Sequence, residues 1–365
     1  MIFARSPYIV TIDEGAQEAT RLELFIWNGT GAAPIAPTYS LSKKVSSINN
    51  VETFYNLAPF IREYFNFIYS SPYSATNNAL LEDYAYCNVI YKTYYTVGGE
   101  EFLLDTVTTF ATDGYGYFED ATNPQTNNFL LTQRTPNVFN YVCDDTENES
   151  LNAGTLTTLG LNHYDDINRL YVVYTPLSGI ASPIDVTINQ ADLVNILRVY
   201  PDFYSIGNQL DIRIDLEAGG TTTVYTAYFQ PQCECKYEPF VVDFINRYGA
   251  WQREFFYKVS NETIEMENTK FKLNPVPFPD YALQQGQYKN FNTNAKKVFK
   301  LNTGWVEESF KDTVQEMLLS EVIRVNDLPA FLRTKSVEKF KSINTKTINY
   351  QMEFEMAYDV INSIS

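Results

Sequence analysis

The residues that could do chemistry are few, and their spacing argues against a reaction. His163 is the chain's one histidine and stands in Asn162-His163-Tyr164-Asp165-Asp166. A histidine beside carboxylates is raw material for general-base catalysis, but a triad also needs a nucleophile in a fixed geometry that this stretch does not specify. It reads as a loop histidine. The densest acidic cluster, Asp144, Asp145, Glu147 and Glu149, follows Cys143. Several carboxylate oxygens suit calcium, but the cluster lacks EF-hand spacing and the loop glycine, so it reads as a solvated acidic loop. Glu307 and Glu308 are a carboxylate pair of the kind glycosidases use, yet neighbours on a helix do not converge on one substrate. They fit better as complements to a helix dipole.

The remaining motifs carry no more. The four cysteines are Cys87, Cys143, Cys233 and Cys235. Cys233-Glu234-Cys235 has no second cysteine pair to complete a zinc site, and the expectation is packed or half-exposed thiols, with the oxidation state of Cys233 and Cys235 left open. Gly98-Gly99 and Gly219-Gly220 are not followed by the Lys-Ser/Thr of a phosphate loop. Asn28-Gly29-Thr30, Asn148-Glu149-Ser150 and Asn261-Glu262-Thr263 match the glycan acceptor pattern, and with no signal peptide evident they are taken as accidental. The sequence thus predicts no enzyme, no cofactor and no metal site.

The elements around these residues read as strands. Tyr8–Ile12 and Arg21–Trp27 are predicted as two antiparallel strands, with Leu22, Leu24 and Ile26 on one face, and Tyr39–Val45 as a third. Pro59 near the start of 57–67 suits a short helix, because an early helical position has no use for the missing N–H. Residues 84–95 and 101–110 are tyrosine-rich strands joined at Gly98-Gly99, which supplies the positive φ a tight hairpin needs. Strands recur over 156–229 with turns about every ten residues, the pattern of a sandwich. A turn at Asn246-Arg247-Tyr248-Gly249 joins Val241–Ile245 to Trp251–Val259. The Pro-containing stretch 268–287 reads as an extended crossing segment.

The C-terminal stretch 299–361 has the clearest pattern. Phe299–Asn302 alternates as a strand. Thr303 is a predicted N-cap for a helix over about 305–320, whose apolar face is Phe310, Val314, Met317 and Leu318. Strands follow at 322–325 and 331–334 about an Asn326-Asp327 turn, then at 336–341. In Ile348–Met356 the even positions are apolar or aromatic and the odd ones are Asn, Gln and Glu, a long strand with one wet face. The fold expected is mainly β: tandem β-sandwich-like domains with a C-terminal α+β module carrying one helix. The domain bounds expected are 1–135, 136–235 and 236–365.

Composition sets the outer limits. The 365 residues suffice for two or three domains, and a 45% hydrophobic share argues against global disorder. Aromatics reach 15%, with 28 Tyr and 25 Phe, which suits strands and interfaces. The formal net charge of −17 disfavours a nucleic-acid partner, which calls for a basic face. From Gly286 onward 11 Lys+Arg face 10 Asp+Glu, a net of +1, leaving 16 against 34 and −18 for residues 1–285. A near-neutral module on an acidic remainder fits a docking end and a solvated end, and equally a chain merely kept soluble. No stretch approaches the roughly 18 apolar residues of a membrane span, so no membrane partner is expected.

Three stretches carry a resemblance. Leu301-Asn302-Thr303-Gly304-Trp305, with Leu318-Leu319-Ser320, Thr334-Lys335-Ser336 and Asn349–Glu355, resembles the C-terminal module of tail or baseplate structural proteins in tailed phages of Bacteroidetes hosts. Arg5-Ser6-Pro7-Tyr8-Ile9-Val10, with Glu23–Gly29 and Tyr39–Lys43 after it, agrees, as does Phe244–Trp251. The resemblance touches both ends and the middle of the chain and transfers no catalytic residue. It implies a non-enzymatic virion protein of a tail, baseplate or neck, made in the host cytoplasm. Such a protein would assemble through its β-rich domains into a multi-subunit ring, with other virion proteins and a homo-oligomer as partners. Trp305, Phe310, Tyr350 and Phe354 are the candidate assembly interface. Two further expectations stay in view: a tail-tip adhesin that binds a host surface glycan through Tyr- and Asn-rich loops, and a glycan-degrading tail enzyme.

Overall fold

The computed structural model describes residues 2–28, 31–45, 51–65, 86–116, 137–142, 155–159, 167–177, 182–186, 195–199, 206–216, 218–232, 237–249, 251–258, 260–274, 284, 286–337 and 347–361. The chain is mainly β, with 62% of the described residues in strands against 8% in helices. It divides into two compact units. The first holds 1–233, 244–253 and 312–321; the second holds 234–243, 254–311 and 322–365. The expected bounds at 135/136 and 235/236 stand beside two interleaved units whose first cut falls at 233/234.

In the first unit the N-terminal strands are β1 (Ile2–Phe3), β2 (Ile9–Ile12), β3 (Ala19–Trp27), β4 (Tyr39–Lys44) and β5 (Thr53–Asn56). Helix α1 (Ala58–Arg62) and strands β6 (Tyr86–Val97) and β7 (Glu100–Thr112) follow. Five of the strands form a sheet in the order β1-β7-β6-β3-β4, and β2 pairs with β5 as a separate ribbon. The expected pairing of 8–12 with 21–27 is therefore wrong: β2 takes β5, with Ile9 opposite Asn56, while β3 lies between β4 and β6. The reason is burial. Leu22, Leu24 and Ile26 on β3 pack against Ile12, Tyr55, Leu57 and Ile61, so ribbon and helix cover the sheet and close its apolar face. Pro59 falls at the start of α1, as expected. Gly98 and Gly99 turn the β6–β7 hairpin with φ of 60° and 81°.

The unit continues with β8 (Val138–Val142), β9 (Thr155–Leu159), β10 (Ile167–Pro176), β11 (Ser182–Val186), β12 (Asn195–Val199), β13 (Asn208–Leu216) and β14 (Thr221–Gln232). A second five-stranded sheet runs β11-β10-β13-β14-β8, and β9 pairs with β12. β13 and β14 form the expected hairpin about Gly219-Gly220, both at positive φ.

The second unit is built on a seven-stranded sheet. Its strands are β15 (Phe240–Ile245), β16 (Trp251–Phe256), β17 (Asn261–Lys272), β18 (Tyr288–Glu307), β19 (Ile323–Val325), β20 (Leu328–Leu332) and β21 (Thr347–Asp359), in the order β16-β15-β19-β20-β21-β18-β17. The division between the units runs through β15 and β16. Along β21 the even positions Tyr350, Met352, Phe354 and Met356 are buried, while Asn349 and Gln351 are exposed, as the alternation predicted. Asn326 and Asp327 both take positive φ, 48° and 65°, the left-handed pair that a two-residue hairpin demands. The Asn326 Oδ1 also accepts the Val241 N–H at 2.9 Å, so the turn is tied to β15.

Three local expectations change. The helix predicted over 305–320 is α2 (Lys311–Leu319), preceded by a 3-10 turn at Glu308–Phe310. Residues 305–307 continue β18 instead. Residues 268–272 belong to β17 rather than to a crossing segment. Ser336 and Val337 are not in a strand, and the rest of the expected strand at 336–341 lies outside the described residues.

Candidate functional site

The 20-residue β18 is the spine of the second unit. Its C-terminal part pairs with β21 and its N-terminal part with β17, over an interruption where Asn302 and Trp305 bracket a shift in register. Thr303 and Gly304 lie inside that bulge. Gly304 has φ of 75°, its N–H donates to Asn302 Oδ1 at 2.7 Å, and an added Cβ would lie 3.0 Å from Lys258 Cγ. The Thr303 hydroxyl accepts the Tyr350 N–H at 3.1 Å and donates to the Gly304 carbonyl at 2.9 Å. Thr303 therefore satisfies a neighbouring strand and caps no helix. A polar residue before glycine suits either role, and the partner strand chose between them.

The four expected interface residues separate. Trp305 is 69% exposed, but Phe310, Tyr350 and Phe354 are 8, 3 and 0% exposed. The Phe310 and Tyr350 rings lie 6.4 Å apart, and Phe354 meets Phe256 edge to face at 5.9 Å. Phe310, Tyr350 and Phe354 are core of the second unit, because the even face of β21 points inward. As a docking surface only Trp305 remains.

The exposed apolar surface lies on β17 and the first half of β18, and sequence reasoning missed it. Among the described residues β17 ends the sheet, hydrogen-bonded to β18 on one side. Ile264, Met266, Phe271, Tyr288 and Phe291 are all 44–64% exposed. Phe271 and Phe291 contact edge to face at 6.3 Å. Treating 268–287 as a crossing segment hid the hairpin; the alternation of Ile264 and Met266 with Glu265 and Glu267 was the available signal. Around these residues run cross-strand ion pairs: Lys296–Glu355 at 2.9 Å, Lys300–Glu353 at 3.2 Å, Lys297–Glu262 at 3.0 Å and Arg333–Glu265 at 2.7 Å. They are partly or fully exposed, and each contributes little to stability, but together they fix which charge stands where. A polar hollow of about 540 Å³ is lined by Glu267, Asn268, Asn292, Asn294, Lys296 and Asp359. Asn294 is held there by bonds to Asp359 Oδ2 and the Ile361 carbonyl, both at 3.0 Å.

The first unit holds a separate charged node. Asp113 is buried, with Arg62 Nε 3.8 Å from Oδ1. Burial pushes its carboxyl up to about 6, against the opposing pull of Arg5 and Arg62. Glu321 takes a hydrogen bond from Arg62 and lies 3.8 Å from Arg5, and the Arg62 bond holds it below the usual carboxylate range. The chain passes tightly here: an added Cβ at Gly249 would meet Asp113 N and Thr112 Cβ at 2.7 Å, and one at Gly114 the Arg247 carbonyl at 2.8 Å. Ser6 braces the same region through Gly116, donating to its carbonyl at 2.9 Å and accepting its N–H at 2.8 Å. Residues near 5, 114, 248 and 320 thus meet, which suits a tertiary clasp.

A groove of about 550 Å³ in the same unit is lined by Tyr8, Tyr91, Thr93 and Asp105 among others. Cys87 is a buried free thiol, pushed up to about 12 by burial and so unreactive at neutral pH. His163, the acidic cluster at 144–149 and Cys143, Cys233 and Cys235 lie outside the described residues. Among the described residues no group of three or more His, Cys, Asp or Glu is placed to hold a metal, and no helix is long and apolar enough to cross a membrane. No family model, curated protein or solved structure matches the chain.

Proposed function

We propose that this chain is a non-enzymatic structural subunit of a phage virion, in the tail, baseplate or neck, that associates with copies of itself and with other virion proteins to build a ring. One observation carries the reading: among the described residues the second unit's sheet stops at a 12-residue strand exposed on both faces, and this strand and the start of β18 carry five large exposed apolar side chains. Natural sheets cover, shorten or twist away such edges, because an open ladder templates pairing with another chain. A ring covers edges by repetition. The sequence resemblance supplies the virion setting.

The test is the solution mass of the full chain by light scattering. A closed multiple of the 41.9 kDa chain is the expected result. A monomer at every concentration overturns the self-assembling part of the proposal.

A second reading rests on the amide-rich hollow at Asn268, Asn292 and Asn294, with the exposed Phe291 and Tyr358 in neighbouring sequence. Amides and carboxylates can hydrogen-bond sugar hydroxyls while an aromatic ring stacks on a sugar face. A host-glycan adhesin predicts binding on a glycan array that is lost in Asn292→Ala. A scaffold predicts none.

A further inference from the structure

We infer that β17 is a self-docking edge: a second copy of the chain adds its own β17 antiparallel to the first, around a two-fold axis at Glu267. This rests on the assembly reading above and names the surface and the occupant.

The charge order along β17 argues for a second copy. The strand reads Asn-Glu-Thr-Ile-Glu-Met-Glu-Asn-Thr-Lys-Phe-Lys from Asn261 to Lys272. Its acids, Glu262, Glu265 and Glu267, lie from the start to the middle, and its bases, Lys270 and Lys272, at the end. Parallel addition in register sets like charges side by side. Antiparallel addition sets the acidic start against the basic end, twice over by symmetry. Another exposed end strand, β4, carries Lys43 and Lys44 and no acid, so it has no such self-complementarity.

Geometry narrows the register. A two-fold axis normal to the sheet pairs only residues on the same face, so even numbers meet even and odd meet odd. The shift opposite Glu267 and Thr269 spans two steps on β17 and three on β18, from Asn294 to Phe291. The extra residue belongs to β18, where Asn292 has φ of 54°, and β17 itself alternates without a break. Centring the axis on Glu267 sets Glu262 opposite Lys272, Ile264 opposite the stem of Lys270, Thr263 opposite Phe271 and Met266 opposite Asn268. Glu267 meets its own mate on the axis, a like-charge pair, and Lys296 lines the same hollow as Glu267. The contact covers exposed Ile264, Met266 and Phe271 together with the open ladder. A two-fold contact also requires an even number of copies in any assembly that contains it.

The experiment is light scattering and sedimentation of the full-length chain with three variants: Glu262→Lys, Lys272→Glu, and the two together. The residues are on the surface, and circular dichroism verifies that each variant keeps its strands. The expected result is an even copy number for the parent. Each single reversal raises the dissociation constant roughly tenfold or more, as two opposite-charge pairs become like-charge pairs, and the mass falls by half or to the single chain. The double variant, with both charges exchanged, returns to the parent's state. A parent that is oligomeric but indifferent to the single reversals, or a double variant as weak as the singles, overturns the β17 contact and leaves the assembly reading standing. A parent that is monomeric throughout overturns both.

Discussion

Replacing Asp113 by Asn tests the electrostatics of the first unit directly. The carboxyl is 4% exposed, and its proton is held up to about 6 against an ordinary 3.8. At about 1.4 kcal/mol per tenfold change in proton affinity, that difference corresponds to roughly 3 kcal/mol of lost stability at neutral pH. The sign follows from which state binds the proton. Between pH 4 and about 6 the folded chain keeps the Asp113 proton after the unfolded chain has released it. Stability from this group therefore falls as pH rises through that window. The penalty is absent below pH 4 and complete above 6. Asn has the same shape and never ionises, so D113N escapes the loss. Its lost attraction to Arg5 and Arg62 is already contained in the net shift, because those arginines act against the burial that dominates it. Urea unfolding of both proteins at pH 4 and pH 7 is the assay. The expected result is a variant that gains about 2–3 kcal/mol on the parent between the two values, with other carboxylates cancelling in the difference. Parallel profiles would refute the reasoning and mean that Arg62 keeps Asp113 ionised in the fold.

Other substitutions test packing by the same unfolding measurement. Gly249→Ala puts a Cβ 2.7 Å from Asp113 N on a backbone with φ of 84°, and should destabilise by on the order of 3 kcal/mol. Thr303→Val leaves the Tyr350 N–H without its 3.1 Å acceptor inside the sheet, at a cost of about 1–3 kcal/mol. Phe354→Ala should lose about 3–5 kcal/mol from a fully buried position against Phe256. Trp305→Ala, at 69% exposure, should change stability by no more than about 0.5 kcal/mol. Equal effects at Phe354 and Trp305 would contradict the assignment of one to the core and the other to the surface.

How far the sequence reached depended on the range of the interaction. Gly98-Gly99, Gly219-Gly220 and Asn326-Asp327 were legible as hairpin turns because positive φ is a property of the residues themselves. Pro59 marked the start of α1 for an equally local reason. Thr303-Gly304 misled, since a hydroxyl before a glycine suits a helix cap and a strand bulge alike. The pairing of β2 with β5, and the parallel pairings of β1 with β7 and β8 with β14, join residues tens of positions apart and leave no local trace.

The candidate site divides in the same way. By itself the sequence determined that the chain is mainly β, that β21 has one apolar and one wet face, and where the tight turns fall, because period-two alternation and backbone preference act within a few residues. Only the tertiary structure decided what lies against each apolar face. It buried Phe310, Tyr350 and Phe354 within one unit, left Trp305 and the β17 residues Ile264, Met266 and Phe271 exposed, and enclosed Asp113 among arginines. Alternation says that a face is apolar; whether the chain's own strands or another molecule covers it depends on which distant segments arrive there.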